Sequence, residues 1–305
     1  IYIKLKISKF ILGTAQLTQN YGIANISEDH SDNKSKNILE NSLNYGIKIW
    51  DTSPEYGQSE KIIGSFIKKY NPKVDISTKL PSIVKKHGNN LKPIELEKIV
   101  LRRIEKSLKN LNKESIDLYY IHDENDLITY GDDLNYFLLK SFDQGKINKI
   151  GISVYNIDLL LLFNKEQMIN TVQIPINIFN RKYVEAIKIL SKKKINILAR
   201  SVFLQGLFFL DPKFSNDKVP MSSTYLLKLL DLKRKYNLST ADIAFGYVNS
   251  FNHLSGIILG VDNNDQLKFN VGLFNAKKLK SEIINEINHE FYNIPLELVD
   301  PRKWN

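Results

Sequence analysis

Eight short runs of β-branched and aromatic residues alternate with longer amphipathic stretches along the 305 residues of the chain. Runs of the first kind predict strands and stretches of the second kind predict helices, and their alternation indicates βα units with a parallel sheet. The predicted strands are 11–15, 47–50, 74–79, 116–121, 149–153, 171–175, 195–199 and 256–259. Because eight parallel strands are the number that closes a (β/α)8 TIM barrel, we predict an α/β protein of this kind.

The stretches between the strands place apolar residues close to the 3.6-residue spacing of a helix. The predicted helices are 34–44, 94–111, 184–190, 224–236, 240–249 and 276–289, with Ser239 as the N-cap of 240–249. We expect 205–223 to be irregular and to cover part of the barrel mouth, and 295–305 to form an extended tail. Since no linker or compositional break divides the sequence, we predict a single domain over residues 1–305.

The composition, with 43% hydrophobic and 25% charged residues, is that of a globular protein. No apolar run approaches the roughly 20 residues that span a bilayer, and residues 1–7 alternate like a strand, unlike a signal peptide. The absence of cysteine excludes disulfides and thiolate chemistry and is compatible with a reducing compartment. We therefore expect a cytoplasmic protein. The five histidines show no ligand spacing, so we expect no metal site.

The formal net charge of +10 raises the alternative of a nucleic-acid-binding protein. The lysines, however, are spread along the predicted helices beside glutamates, which favours a solvated surface. The densest run, 192–194, lies at a predicted helix end, where cations interact favourably with the helix dipole. We expect neither a nucleic-acid nor a membrane partner.

Four polar residues lie at or just after the C-terminal ends of predicted strands. Asp51 and Tyr56 follow the second strand, Lys79 closes the third, and His122 follows the fourth. Strand ends of this kind converge on one face of a parallel barrel and form its active site, so these side chains together indicate acid–base chemistry. Three of them also have a simpler interpretation: Tyr56 as a packing residue, Lys79 as a strand-end charge and His122 as a loop histidine.

Four motifs that contain or follow these residues occur in a fixed order. They are 46–64, which includes Asp51-Thr52-Ser53-Pro54-Glu55-Tyr56-Gly57, then Ser77-Thr78-Lys79, then 117–122 and 145–153. From about residue 11 to 270 this ordered set resembles the bacterial branch of the aldo-keto reductase superfamily. The resemblance implies a (β/α)8 barrel that uses NAD(P)H to reduce an aldehyde or ketone, or that oxidises the corresponding alcohol. The alternative is a non-catalytic, nucleotide-binding barrel that acts as a sensor or an assembly subunit.

The resemblance assigns a role to each of the four polar residues. It makes Tyr56 the general acid that protonates the carbonyl oxygen. Lys79 would lower the pKa of the Tyr56 phenol, which is about 10 when unperturbed, and Asp51 would pair with Lys79. His122 would donate a hydrogen bond to the substrate oxygen.

The resemblance also implies a set of cofactor-binding residues. They are Ser153, Gln173, Arg200, Ser201, Gly260, Asp262, Gln266 and Asn270. Ser153 and Gln173 would bind the nicotinamide carboxamide, whereas Val154 replaces an asparagine common in the family. Arg200 takes the place of an aromatic ring that many members put beneath the nicotinamide; a salt bridge at the barrel rim is its alternative interpretation.

The residues of this set that would contact the adenosine group bear on the preference between NADPH and NADH. Relatives that select NADPH place Lys or Arg there, but Gly260, Asp262 and Gln266 offer no cation, and an aspartate repels a phosphate and suits a ribose diol. Lys268 is the cation that could compensate. The resemblance thus implies NADP, while these residues leave NAD open. The short segment 122–127 and the tail 300–304 resemble members linked to sugar metabolism, which indicates a polar, sugar-like carbonyl substrate.

Overall fold

The protein is described here by a computed structural model, which covers residues 9–24, 31–156, 158–159 and 168–304. Eight parallel strands close into a barrel in sequence order, and β1 pairs with both β2 and β8. The strands are β1 Phe10–Gly13, β2 Ile49–Asp51, β3 Asp75–Leu80, β4 Leu118–Ile121, β5 Ile150–Ser153, β6 Ile169–Pro175, β7 Asn196–Arg200 and β8 Gly256–Gly260. The predicted (β/α)8 barrel is confirmed, and every predicted strand boundary lies within two residues of the observed one.

Helices surround the strands with their apolar faces toward the barrel. Within the described ranges they are α1 Asp32–Asn44, α2 Ser59–Tyr70, α3 Ile83–His87, α4 Pro93–Leu111, α5 Glu124–Asp143, α6 Val184–Lys192, α7 Pro212–Ser215, α8 Ser222–Tyr236, α9 Thr240–Asn249, α10 Asn264–Asn275, α11 Ser281–Glu290 and α12 Leu296–Val299. In α4 the buried residues Leu96, Val100, Ile104 and Leu111 follow the helical period. The predicted cap of α9 is confirmed, because the Ser239 hydroxyl accepts a hydrogen bond from the Asp242 amide at 3.0 Å.

Three local predictions need correction. The tail is not extended: α12 buries Leu298, and Asp300 caps a 3-10 turn, Pro301–Lys303. The segment 205–223 is not wholly irregular, since it contains most of a 3-10 turn, Leu204–Phe209, and all of α7. The helix predicted to begin at 276 begins at Ser281, and α10 before it was missed. The strand-like pattern of residues 1–7 lies outside the described residues.

Side chains packed inside the barrel support the C-terminal ends of the strands. Ile11, Tyr120 and Leu198 form a small core inside the barrel, and a larger apolar core lies between the strands and the helices. A Cβ on Gly151 would come within 2.6 Å of the Tyr120 ring, so only glycine at this position leaves room for that ring. Tyr120 therefore fills the barrel, with the Lys79 ammonium 5.8 Å from its ring centre.

The described residues contain neither a helix that could span a membrane nor a cluster that could bind a metal ion. Within the described ranges, no helix is both long and apolar enough to cross a bilayer. The same residues contain no group of three or more His, Cys, Asp or Glu side chains that could bind a metal ion.

Candidate active site

A cavity of about 710 Å³ opens at the C-terminal ends of the strands, which is within the usual size range of small-molecule sites. All twelve residues proposed from the sequence line it. They are Asp51, Tyr56, Lys79, His122, Ser153, Gln173, Arg200, Ser201, Gly260, Asp262, Gln266 and Asn270. The fold thus brings together residues that are up to 219 positions apart in sequence, from Asp51 to Asn270.

A buried ion pair between Asp51 and Lys79 lies at the floor of this cavity. Lys79 Nζ is 2.6 Å from Asp51 Oδ2 and also donates to the Thr52 carbonyl at 2.8 Å. Asp51 Oδ1 accepts hydrogen bonds from Ser77 Oγ at 2.9 Å and from Gln173 Nε2 at 2.7 Å. Because a buried pair is tolerated only when its remaining donors and acceptors are satisfied, these contacts fix both side chains in place.

The Tyr56 ring lies beside this ion pair, with its centre 5.0 Å from Lys79 Nζ. Its backbone carbonyl accepts a hydrogen bond from Thr18 Oγ1 at 2.7 Å, which anchors the turn between β2 and α2. Burial raises the pKa of Tyr56 well above its usual range, the Asp51 carboxylate raises it further, and Arg200 opposes both. The expected lowering of this pKa is therefore wrong for this structure, because burial and Asp51 outweigh the cations nearby. A phenol in this environment stays protonated at neutral pH.

His122 faces the cavity from the end of β4 and has a carboxylate partner. Its Nδ1 is 2.8 Å from Glu55 Oε2, and the two side chains are 27% and 38% exposed. Burial lowers the pKa of His122, while the hydrogen bond to Glu55 works in the opposite direction. Glu55 was not predicted as a site residue from the sequence, although it directly precedes Tyr56 in the same turn.

Ser153 and Gln173 lie side by side at the ends of β5 and β6, and both are buried. The bond from Gln173 to Asp51 ties this pair to the Asp51–Lys79 ion pair. Val154 is fully buried and its amide donates to the Gln173 carbonyl at 3.0 Å. Its apolar side chain cannot supply the polar contact that an asparagine gives at this position.

Arg200, at the end of β7, packs against Tyr155. Its guanidinium carbon is 4.3 Å from the centre of that ring, and Nη1 donates to the Tyr155 hydroxyl at 3.1 Å. Among the described residues no carboxylate lies within 4 Å of Arg200, so the alternative of a salt bridge at the rim is wrong within that part of the chain. The next residue, Ser201, has φ = 59°, and its carbonyl accepts a hydrogen bond from Asn177 Nδ2 at 3.0 Å.

Tyr155 and Arg302 line the same cavity and were not predicted as site residues from the sequence. The guanidinium carbon of Arg302 is 3.5 Å from the centre of the Tyr155 ring, and Asp300 accepts two hydrogen bonds from this guanidinium at 2.8 and 2.6 Å. Tyr155 could have been suspected from its place two residues after Ser153. Nothing in the local pattern around Arg302 indicates that the tail reaches the cavity.

The segment proposed to contact adenosine lies at the β8 end of the cavity. A Cβ on Gly260 would fall 1.7 Å from Gln16 Oε1, so the Gln16 side chain packs directly against this glycine. The side-chain oxygen of Gln266 accepts a hydrogen bond from the Asp262 amide at 2.7 Å, and Asn270 is buried. Lys268 is exposed and lines a separate shallow groove instead of this cavity. The Lys and Arg side chains that do line the cavity are Lys79, Lys85, Arg200 and Arg302, all from other segments.

One wall of the mouth is formed by two segments that bind each other. The Gln205 carbonyl accepts a hydrogen bond from the Ile23 amide at 2.9 Å, and its side chain donates to the Tyr21 hydroxyl at 3.4 Å. Gln205 and Phe209 line the cavity, which confirms that the segment after β7 covers part of the mouth.

Comparison with known proteins gives one family. The model of the aldo/keto reductase family matches residues 9–289. Aldo-keto reductase YhdN of Bacillus subtilis is 30% identical over 169 residues, which cover 54% of this chain and about half (51%) of that protein. The uncharacterized oxidoreductase YqkF of the same organism is 24% identical over 292 residues, covering 90% of this chain and 94% of its own length.

A solved structure shares the fold over nearly the whole chain. The holo form of aldo-keto reductase AKR11C1 from Bacillus halodurans superposes with a TM-score of 0.71 at 18% identity, covering 96% of this chain and 95% of the other. At this identity the likeness concerns the fold alone.

Proposed function

Because the chain belongs to the aldo/keto reductase family, we propose that it is an NAD(P)H-dependent enzyme that reduces an aldehyde or ketone, or oxidises the corresponding alcohol, with Tyr56 as the general acid. Family membership itself makes the chain an oxidoreductase of carbonyl compounds. The residues, the cofactor and the substrate are the parts we propose.

The observation that carries the proposal is the convergence of Tyr56, His122 and the Asp51–Lys79 pair on one cavity. A protonated phenol at the cavity floor can donate its proton to a carbonyl oxygen as negative charge develops there. Lys79, 5.0 Å from the phenol ring, then stabilises the phenolate that remains, and Asp51 keeps Lys79 in position. His122, which follows β4, would contact the same oxygen.

The residues present fit a nicotinamide dinucleotide, which supplies the hydride when bound. Ser153 and Gln173 offer a hydroxyl and an amide beside the ion pair, as a carboxamide requires. Arg200 Nε is buried with no hydrogen-bond partner among the described residues, so it can donate a hydrogen bond to a bound ligand. Asp262, Gln266 and Asn270 line the β8 end, where an adenosine group would reach. Residues from β5 to β8 would thus bind the cofactor along one side of the cavity.

For the choice of nucleotide, we propose that NADH binds at least as well as NADPH. A 2′-phosphate carries close to two negative charges, and its recognition normally requires a well-placed Arg or Lys. The cavity-lining residues of 260–270 include none, and Asp262 lies among them. Lys268, the cation that could compensate, lines the neighbouring groove instead of this cavity.

We further propose a polar, sugar-like carbonyl substrate and a cytoplasmic site of action. The non-catalytic alternative would keep the barrel and the nucleotide site, but a pure binding protein has no use for the phenol and ammonium together at the cavity floor. No recognition motif supports the nucleic-acid alternative; retention on a DNA column at moderate salt would be its test.

The proposal is tested by fluorescence titration with NADH and NADPH, followed by a panel of aldehydes and ketones with the preferred nucleotide. We expect saturable binding of at least one nucleotide and carbonyl-dependent oxidation of it. Tight nucleotide binding with no turnover across aliphatic, aromatic and sugar carbonyls would favour the sensor alternative instead.

A further inference from the structure

Within the described part of the chain, Arg200 differs from the other cations that line the cavity because it has no carboxylate partner. Lys79 pairs with Asp51, Lys85 with Asp123 at 2.8 Å, and Arg302 with Asp300. No carboxylate of the described residues lies within 4 Å of Arg200, and the groups that act on it most strongly are the phenols of Tyr155, Tyr21 and Tyr183. A partly buried guanidinium without a counter-ion is costly, so its place in a binding cavity indicates an anion supplied from outside.

The surroundings of Tyr155 have an excess of positive charge. Arg200 and Arg302 both contact its ring, and Lys182 Nζ donates to its carbonyl at 2.8 Å. The carboxylates close by are Asp300, which binds Arg302, and Glu124, which accepts hydrogen bonds from the Tyr155 and Asn156 amides at 2.7 and 2.9 Å. Among the described residues, three cations therefore face two carboxylates, both of which are already engaged.

The two arginines are held in fixed positions by what they contact. Asp300 binds Arg302 through Nε and Nη2, which leaves Nη1 as a donor for a ligand. Arg200 uses Nη1 on the Tyr155 and Ser201 hydroxyls and keeps Nε unbonded. Rigid guanidinium donors of this kind suit carboxylate and phosphate groups, because less conformational entropy is lost when the anion binds.

This cluster lies within electrostatic reach of the proposed acid–base residues. The Arg200 charge opposes the rise in the pKa of Tyr56 and lowers the pKa of His122. Tyr56, His122, Arg200 and Arg302 also line one cavity, so a molecule bound at the two arginines can extend to Tyr56. A neutral nicotinamide carboxamide could accept a hydrogen bond from Arg200, but it could not neutralise its charge.

We propose that the substrate carries a carboxylate or phosphate group, which binds to Arg200 and Arg302 beside Tyr155 while its carbonyl group lies at Tyr56. This inference rests on the proposed function and narrows it to acidic carbonyl compounds. Two molecules offer an anion for this site, the substrate and the cofactor through its pyrophosphate. The experiment distinguishes between them.

The test compares matched carbonyl probes. Wild-type protein should show a kcat/KM at least tenfold higher for 4-carboxybenzaldehyde than for its methyl ester, or for glyceraldehyde 3-phosphate than for glyceraldehyde. Arg302→Gln should reduce that acid-to-neutral ratio at least tenfold and leave the Kd of NADH unchanged. Lys303→Gln, which removes the adjacent exposed cation, should retain the wild-type ratio.

Two results would overturn the inference. One is an equal preference for the acidic and neutral members of both pairs. The other is a loss of NADH affinity in Arg302→Gln with no change in the ratio, which would assign the anion to the cofactor. Titration calorimetry with 4-carboxybenzaldehyde and its methyl ester measures the binding preference without turnover. If the protein binds the acid selectively but reduces neither compound, the proposed reduction is contradicted and the anion site is still supported.

Discussion

The carboxylate of Glu55 lies 2.8 Å from Nδ1 of His122, so two residues from different strand ends meet above the Asp51–Lys79 pair. A carboxylate can only accept a hydrogen bond, and Nδ1 must therefore carry the proton. In the neutral imidazole Nε2 then has no proton to donate. His122 can donate to a substrate oxygen from Nε2 only as an imidazolium, which the Glu55 carboxylate stabilises.

We predict that Glu55→Gln lowers the pKa of His122 and shifts the pH dependence of carbonyl reduction. Glu55 raises this pKa against the lowering effect of burial, so its removal leaves burial unopposed. The decline of kcat/KM at rising pH should move to lower pH, and NMR titration of the His122 ring should show the same direction. Glu105→Gln, at an exposed ion pair with Lys146, is the control. An unmoved His122 titration in Glu55→Gln would refute this role.

Tyr56→Phe should retain the fold and NADH binding but lose most carbonyl reduction. The substitution removes the proton donor alone, and general acid catalysis typically contributes about 10² to 10⁴-fold. Single-turnover rates and the Kd of NADH separate the two effects. Tyr292→Phe removes a hydroxyl from a residue that is 85% exposed and should behave as wild type. Turnover of Tyr56→Phe within a few-fold of wild type would eliminate the proposed acid.

Lys79→Met and Asp51→Asn should shift the pKa of Tyr56 in opposite directions. Without Lys79 the Asp51 carboxylate stands uncompensated and raises this pKa further, whereas Asp51→Asn removes a group that raises it. A spectrophotometric titration of the Tyr56 phenol should shift to higher pH in the first variant and to lower pH in the second, with lower rates in both. Equal shifts in the two variants would show that the pair has only a structural role.

The same pair gives a stability prediction. Removing one partner of a buried ion pair costs about 3–5 kcal/mol, because the other charge is left buried and unpaired. Lys79→Met should lower the free energy of unfolding by about that amount, and the double variant Asp51→Asn/Lys79→Met should recover part of the loss. Urea denaturation of the four proteins measures the coupling. Additive losses would mean that the two charges do not depend on each other.

Asp262→Arg should shift the nucleotide preference toward NADPH by roughly 1 to 3 kcal/mol, the scale of a hydrogen bond to a charged group. The substitution replaces an anion that lines the cavity with a cation able to bind the 2′-phosphate. Asp265→Arg adds the same charge nearby on α10 but outside the cavity, and serves as the control. A wild-type protein that binds NADPH a hundredfold more tightly than NADH would contradict our interpretation of this segment.

The parts of the fold that could be predicted depend on short-range patterns. The strands were located because β-branched runs are a local signal, and Asp51, Lys79 and His122 were found because barrel strands end on one face. The contacts of Glu55 with His122 and of Arg302 with Tyr155 join segments 67 and 147 positions apart, and no periodicity reports such pairs. The raised pKa of Tyr56 was missed for the same reason, since it depends on burial by the folded chain.

The order of the strands also separates the proposed proton-transfer residues from the proposed nucleotide contacts along the sequence. Asp51, Tyr56, Lys79 and His122 belong to β2–β4 and the turns after them, whereas Ser153, Gln173, Arg200 and the 260–270 segment follow from β5 onward. The hydrogen bond from Gln173 to Asp51 joins the two halves at the cavity floor. A chimaera cut between β4 and β5 would thus inherit its proton-transfer residues from one parent and its nucleotide contacts from the other. Such recombination could exchange coenzyme preference as a single block, provided that both parents supply this glutamine–aspartate bond.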